Sequence, residues 1–580
     1  MIRLFDTHYI RFQQELDGMW DFRMEGVDKA YQLPVPGCWE QHPDFLAHRG
    51  KGVYTRKVYI RQDCNIRLEF KGVSHTADVY FDGEPVAHHY NAFTPFSTVV
   101  KNVCRGEHEI KVLVDNTFGE HSALHIPNDY YTYGGITRPV ALEYLPDVYI
   151  KNVHFTPFMR DGKWAAKVEV KLANLSDKEA CVQFGCRLDG VASYKSGVSM
   201  PVDCKAGVDC LELSKDIQTV EGNAELAPGS EATVVLEKEF DNVTAWSHEN
   251  PALYMLNTTL SVGGEAVDDY IERVGFRTVE IDGTKIKVNG EAVYLMGFNR
   301  HEDYAVDGCA INLQHMVQDM DLMQDMGVNA LRTCHYPNDE RMLDLCDERG
   351  IMVWEENHAR GLGLPEMQNP NFDKQCEDCI YEMIENHYNH PAIIIWGILN
   401  ECAAETEEGR EKYARQYAQI KSLDTSRPTT SATCRHFTDI CLDLPDIVSF
   451  NMYSGWYQDV PVDERNDKQI QWIQSAGGAG KPIIVSELGA AAIYGYRDRA
   501  RCKWSEERQA DIIRENLEVY MNDENITGVF IWQFADCRVT EEGGWFATRA
   551  RSHNNKGVVD EYRRPKMAYD VVKEMFAGKK

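Results

Sequence analysis

The fold class this sequence predicts is two all-β sandwiches followed by a (β/α)8 barrel, and three observations predict it. The first is length: 580 residues exceed the ~250–300 at which a single hydrophobic core stops growing, so two to four domains are expected. The second is the texture of the first half, where short β-rich runs with period-2 alternation are separated by Gly, Asn and Asp. The third is the change after "RTVEIDGTKIKVNGEA", beyond which short apolar strands alternate with amphipathic helical stretches, the signature of a parallel α/β fold.

The elements justify this in order. In the first segment, residues 1–146, "NIRLEFKGVSHTADVYFDGEPVAHHY" holds alternating strands broken by Asp82-Gly83, a hairpin signal. In the second, 147–276, "KWAAKVEVKLANLS", "EATVVLEKEF" and "LYMLNTTLSVGGEAVDDYIERVGF" read as strands of a sandwich of immunoglobulin-like size. The third, 277–580, offers eight strand candidates, each ending in polar or aromatic residues: "YLMGFNRHED", "ALRTCHYP", "IMVWEENHARG", "IIIWGILNE", "PTTSATC", "DIVSFNMYSGWY", "PIIVSELGA" and "GVFIWQFAD". In such a barrel the active site lies where the strands end, so these polar ends should converge on one mouth.

Composition narrows the function. Hydrophobic content of 43% and aromatic content of 11% describe ordinary globular material. The 61 Lys+Arg against 91 Asp+Glu leave a net charge of −30, which opposes nucleic acid and anionic membrane as partners, and opposes an anionic substrate unless the site supplies its own positive charge. "MIRLFDTHYIRFQQELDG" has no apolar h-region and no stretch approaches the ~18 apolar residues of a membrane span, so a cytoplasmic protein is expected. Seventeen cysteines, an odd number without a framework, suit a reducing compartment.

No cofactor or metal is expected. "GLGLPE" lacks the GxGxxG spacing of a phosphate cradle. Cys376 and Cys379 with His387 and His390 imitate a zinc motif, but "FDKQCEDCIYEMIENHYNHP" has the apolar spacing of one helix and lacks the turn that would fold the histidines onto the cysteines.

The chemistry lies at the strand ends. Glu401 follows "AIIIWGILN" and Glu487 follows "KPIIVS". Two carboxylates of unequal environment are what cleavage of a glycosidic bond needs, one to protonate the leaving oxygen and one to stabilise or capture the oxocarbenium carbon. The carboxyl that protonates must have its pKa raised, and burial against Trp or Tyr and repulsion from the other, ionised carboxylate both act in that direction. Asn400, beside Glu401, is placed to hold a sugar 2-hydroxyl, and Tyr453, Trp456, Tyr457 and Trp532 surround the pair with rings.

Seven stretches in order carry a more specific resemblance: "NDYYTYGGITRPV", "GFNRHED", "RTCHYP", "NHPAIIIWGILNE", "FNMYSGWY", "VSELG" and "IWQFAD". Over its whole length the chain resembles glycoside hydrolase family 2, which implies an N-terminal sugar-binding-like jelly-roll, an immunoglobulin-like sandwich and a catalytic TIM barrel. It implies further that Glu401 is the acid/base and Glu487 the nucleophile of a retaining mechanism, with carboxylates ~5–5.5 Å apart. Within the family the chain is similar to the β-glucuronidase branch. That likeness implies sugar contacts from Asp129, His335, Tyr457 and Trp532, and a hydrogen bond from Tyr453 to the nucleophile. It also implies a carboxylate clamp from Asn554 and Lys556 in "SHNNKG", the local positive charge that an anionic substrate requires.

The chain departs from that branch in three places. "WEENHARGLG" adds His358 and Arg360 near the mouth, and "FATRARSHNNKG" adds Arg549 and Arg551 before the clamp. An added arginine there reinforces the clamp, contacts O4 or pairs with a neighbouring Glu. "LGLPEMQNPNFDK" is short where gut-bacterial glucuronidases place a long lid, which implies an open site suited to oligosaccharide ends. The expected activity is therefore a retaining exo-β-uronidase, glucuronide first and galacturonide close behind, with a neutral β-galactosidase as third reading. The expected partners are uronic-acid glycosides or oligosaccharide ends, and enzymes of the branch are often tetramers, which implies self-association.

Overall fold

The structure is a computed structural model that describes residues 1–191, 218–541 and 544–579. The N-terminal unit packs an antiparallel four-stranded sheet on a six-stranded one, around a core that includes Trp20, Trp39, Tyr54 and Phe70. Its hairpin at Asp82-Gly83 joins Thr76–Phe81 to Glu84–Tyr90. Both loop residues have positive φ, 50° and 85°, the type I′ pattern whose twist matches the flanking strands.

The second unit is a sandwich of three strands (Val148–Arg160, Lys163–Asn174, Glu231–Phe240) on four (Ala180–Val191, Gln218–Leu226, Leu253–Val262, Glu265–Val274). Phe155, Phe184, Phe240 and Phe276 fill the space between them.

Beyond a small meander over residues 279–293, eight parallel strands close a barrel. They are β1 (Leu295–Asn299), β2 (Ala330–Thr333), β3 (Met352–Glu356), β4 (Ile393–Asn400), β5 (Thr429–Thr433), β6 (Val448–Asn451), β7 (Ile483–Leu488) and β8 (Ile526–Ile531). Seven lie within the runs read from the sequence, and β8 begins two residues before its run, at Ile526. All eight residues of β4 are buried, because a strand packed on the barrel interior on one side and on helices on the other is apolar on both faces. Four of the surrounding helices begin at side-chain caps: Asn312, Asp339, Thr406 and Ser505 each accept from a backbone N–H of the first turn.

Cys376 and Cys379 lie buried on the helix Phe372–His387, and the histidines turn to different partners, His387 Nδ1 to Glu355 at 3.0 Å and His390 Nδ1 to Asp347 at 2.6 Å. The cysteines among the described residues are all free thiols; Cys204 and Cys210 lie outside them.

What matters for the site is how the first unit reaches the barrel mouth. The segment leaving the strand Gly106–Asp115 crosses onto the barrel and is fixed there by buried polar groups. Tyr133 donates to Asp303 at 2.9 Å, and Arg138 donates to Glu302 at 2.7 Å and to the Pro337 carbonyl at 2.8 Å. Asn128 and Asp129 ride on this segment, which carries them to the ends of the strands.

Candidate active site

At the C-terminal ends of the strands a cavity of about 350 Å³ is lined by Asp129, Arg360, Glu401, Asn451, Tyr453, Tyr457, Glu487, Trp532, Arg549 and Lys556, with Cys434, His436 and Gln458 completing its wall. Eight residues expected from the sequence are thus brought together. His335, Asn400 and Asn554 stand directly behind that wall.

Glu401 follows the last residue of β4 and Glu487 is the penultimate residue of β7, three strands further round the barrel. Glu401 occupies the left-handed region at φ 54°, a conformation costly for a non-glycine residue and kept only where the surroundings enforce it. Here its N–H donates to the Ala432 carbonyl at 2.9 Å, and Asn451 Nδ2 donates to its Oε1 at 2.9 Å.

Glu487 is 4% exposed. Its Oε1 accepts from Arg332 Nη1 at 3.1 Å and its Oε2 from the Tyr453 hydroxyl at 2.6 Å. Burial and the neighbouring Glu401 carboxylate push its pKa up to about 7, against the opposing pull of Arg332 and Tyr453. The raised carboxyl is thus Glu487, the more deeply buried of the pair, whereas the sequence leads one to expect the raised group at the acid/base Glu401.

Arg332 is the residue that sequence reasoning missed. It sits on β2, three places before His335 in the "RTCHYP" stretch, and an arginine within an apolar barrel strand is itself the signal, since a buried guanidinium needs several acceptors. It finds Glu356 Oε2 and Oε1 at 3.0 and 2.9 Å, Asn299 at 2.9 Å, Asn400 Oδ1 at 2.9 Å and Glu487. Asn451, at the end of β6 in "FNMYSGWY", was missed for a different reason, because its neighbours Tyr453 and Tyr457 are chemically louder.

His335 is buried with Nδ1 2.8 Å from Glu356 and its ring stacked on Trp532, 5.0 Å between centroids. Burial first, and then Arg332, hold its pKa well below 6.5, so the imidazole is neutral. Behind the wall, His335 Nε2, 4.0 Å from Glu487 Oε1, Asn400 Nδ2 and Asn554 Oδ1 have no hydrogen-bond partner among the described residues.

The opposite wall is cationic. Arg360 sits where Gly361 N–H donates to the Asn400 carbonyl at 2.8 Å, extending the pairing of β3 and β4. Its guanidinium donates to Asn128 at 3.0 Å and lies 3.5 Å from Glu401. Arg549 grips Asp129 with two bonds of 2.8 and 2.5 Å, and Asn554 Nδ2 adds a third at 2.9 Å. Asn554 thus braces Asp129 in this structure. Arg551 turns away to pair with Glu561.

Lys556 differs from the arginines. It is 1% exposed, its ammonium lies 5.2 Å from the Tyr457 ring and 5.9 Å from the Tyr453 ring, and among the described residues no carboxylate approaches within 4.0 Å of it. Burial alone would push the Tyr457 phenol up, but Lys556 and Arg549 bring it below its usual 10. Tyr457 is 57% exposed, so it stands at an open rim. The lysine is held in place by its backbone: its carbonyl accepts from Gln533 at 3.0 Å, and that of Asn555 accepts from Ala492 at 2.9 Å.

Comparison with known proteins fits this geometry. "Glycosyl hydrolases family 2, sugar binding domain" matches residues 14–146, "Glycosyl hydrolases family 2" matches 148–277, and "Glycosyl hydrolases family 2, TIM barrel domain" matches 279–579. A β-galacturonidase of Eisenbergiella tayi, solved with galacturonate bound, is similar at 47% identity and a TM-score of 0.92, over 100% of this chain and 99% of that one. The β-D-glucuronidase of Dictyoglomus thermophilum is similar at 26% identity and a TM-score of 0.81, over 98% and 97%. The β-glucuronidase of Paenibacillus borealis is 26% identical over 96% of this chain and 95% of its own length. With family matches across all three units and a barrel mouth that brings the paired glutamates together, the chain belongs to glycosyl hydrolase family 2.

Proposed function

We propose that this protein is a retaining exo-β-uronidase whose preferred substrates are β-D-galacturonides, with β-D-glucuronides second. The observation that carries the reading is Lys556, a buried ammonium facing the two-glutamate cavity with the Tyr457 hydroxyl but no protein carboxylate beside it among the described residues. A buried charge without an opposite charge costs several kcal/mol, and a substrate carboxylate at C6 supplies it. A neutral galactoside leaves it unpaired. The order of the two epimers rests on the 47% identity to a galacturonidase over the whole of both chains, against 26% for the glucuronidases compared.

In the proposed first step the Glu487 carboxylate attacks the anomeric carbon while Glu401 delivers its proton to the glycosidic oxygen. The C–O bond breaks and the alcohol leaves. Arg332 and Tyr453 stabilise the anion on Glu487 beforehand, and neutral His335 and Asn400 offer the sugar two buried polar atoms that lack protein partners. In the second step Glu401 takes a proton from water, the hydroxide attacks the same carbon and Glu487 departs as carboxylate, so configuration is retained.

The test is side-by-side hydrolysis of nitrophenyl β-galacturonide, β-glucuronide and β-galactoside by the wild type and by Glu487→Ala. The expected result is cleavage of both uronides with the galacturonide faster, negligible action on the galactoside, and loss of all turnover in a folded Glu487→Ala variant. A galactoside cleaved faster than the uronides, or substantial turnover by Glu487→Ala, refutes the proposal.

A further inference from the structure

The reactive carboxylate does not stand alone on its guanidinium. Arg332 divides its five N–H groups between Glu487 on one side and Glu356 on the other, with Asn299 and Asn400 taking the remainder. Glu356 ends β3, is fully buried and does not line the cavity. Its Oε1 accepts from Arg332 at 2.9 Å and lies 2.8 Å from His335 Nδ1; its Oε2 accepts from Arg332 at 3.0 Å. One carboxylate out of reach of the sugar thus grips both groups that face Glu487 from β2.

We propose that Glu356 is a positioning residue that sets the charge felt by Glu487, through Arg332, and the tautomer of His335. The inference rests on the assignment of Glu487 as nucleophile.

Two consequences follow from the geometry. First, the sequence Glu356, Arg332, Glu487 alternates in charge, so part of the guanidinium's positive charge is spent on Glu356. A nucleophile paired with a whole positive charge is a better-stabilised and weaker one; sharing Arg332 keeps Glu487 ionisable yet reactive. Secondly, a His335 Nδ1–H that donates to Glu356 leaves the lone pair on Nε2, the unpartnered atom 4.0 Å from Glu487. His335 then accepts from a sugar hydroxyl.

The groups facing Glu487 from every packed element are Glu401 from β4, Arg332 and His335 from β2, Arg360 from the β3 loop and Tyr453 from the β6 loop. Those facing Glu356 are Arg332, Cys334 and His335 from the β2 end and Tyr130 from the first unit, and the Cys334 thiol also feels Glu487. Burial pushes Glu356 up to about 7, against the pull of Arg332. The two acids on either side of Arg332 draw on the same guanidinium charge, so removing one changes what the other feels.

The experiment is the pH dependence of kcat/KM and kcat for Glu356→Gln and Glu356→Asp, with folding checked by thermal unfolding. Glu356→Gln keeps the shape and removes the charge, so Arg332 turns its whole charge on Glu487. The acidic limb should move down by about one pH unit or more, and kcat should fall at least about tenfold while the unfolding temperature stays close to that of the wild type. Glu356→Asp keeps the charge, so its limb should stay at the wild-type position while kcat falls through lost aim. A wild-type limb in Glu356→Gln, or the same downward move in both variants, overturns the proposal. If Glu356→Gln does not fold, Glu356→Asp decides: an unmoved limb with reduced kcat supports it, and wild-type kcat or a moved limb overturns it. Failure of the parent assignment is distinct, because it shows as turnover by Glu487→Ala.

Discussion

Replacing Lys556 by Met keeps the length and apolar bulk of the side chain while removing its charge, so its packing against Tyr453 and Tyr457 survives and only recognition of the substrate's carboxylate is lost. The magnitude follows from the surroundings. Lys556 is 1% exposed, so a uronate bound beside it has little water to replace the ammonium. Arg549 is engaged with both oxygens of Asp129, and Arg360 faces Glu401. An uncompensated buried carboxylate costs about 3–5 kcal/mol. The positive field of the two arginines offsets part of that, which leaves about 3 kcal/mol, or about a hundredfold in kcat/KM. A neutral β-galactoside makes no such contact, and its slow hydrolysis should be unchanged or improved. The assay is kcat/KM on nitrophenyl β-galacturonide, β-glucuronide and β-galactoside for wild type and variant, at one ionic strength. A loss below about fivefold on the uronides, or an equal loss on the galactoside, refutes the reasoning, because either result places the carboxylate elsewhere.

Two further outcomes are expected. In Tyr453→Phe, Glu487 loses the hydroxyl 2.6 Å away that stabilises its ionised form. Protonation then sets in at higher pH, and the acidic limb of kcat/KM, near 7 in the wild type from the raised Glu487, should climb by about 1–2 pH units, since a hydrogen bond to a charged group contributes about 1.5–3 kcal/mol; a limb that stays or moves down contradicts the assignment. In Arg3→Met, the buried carboxylates of Asp344, Glu340 and Glu272, 2.8, 3.4 and 3.6 Å from the guanidinium, lose their shared cation. Stability should drop by about 3–5 kcal/mol, seen as an earlier calorimetric transition, while kcat/KM at 25 °C remains within about twofold because Glu340 and Asp344 lie on the outer helix Glu340–Arg349 and Glu272 on the strand Glu265–Val274 of the second unit, away from the mouth.

The two tests of catalytic electrostatics address one design. Glu487 is buried beside a second carboxylate, which favours the neutral acid, and is wrapped by Arg332 and Tyr453, which favour the anion. The balance near 7 allows the charge to be present when needed and removed cheaply when the sugar is attached. Arg549 and Asn554 do parallel work on Asp129, pinning a carboxylate delivered from the first unit so that the barrel mouth is completed across a domain boundary.

The sequence by itself determined the order of the three units, because periodicity is a local property: alternation marks a half-buried strand, and an apolar run marks one buried on both faces. It also placed the two glutamates at one mouth, since "WGILNE" and "VSELG" each end an apolar strand in a glutamate, and parallel barrel strands bring their ends to one face. What only the tertiary structure decided is which cation answers which anion. Arg360, Arg549, Arg551 and Lys556 are alike in composition and close along the chain or at the mouth, yet one faces Glu401, one grips Asp129, one pairs with Glu561 and one is left beside two aromatic rings. Those pairings span separations as long as that of Asp129 and Arg549, and no local pattern encodes them. Arg332 shows the same limit from the other side: in the sequence it is an oddity in an apolar strand, and only the packed barrel, where burial forces a guanidinium to find every acceptor within reach, reveals the two glutamates it holds.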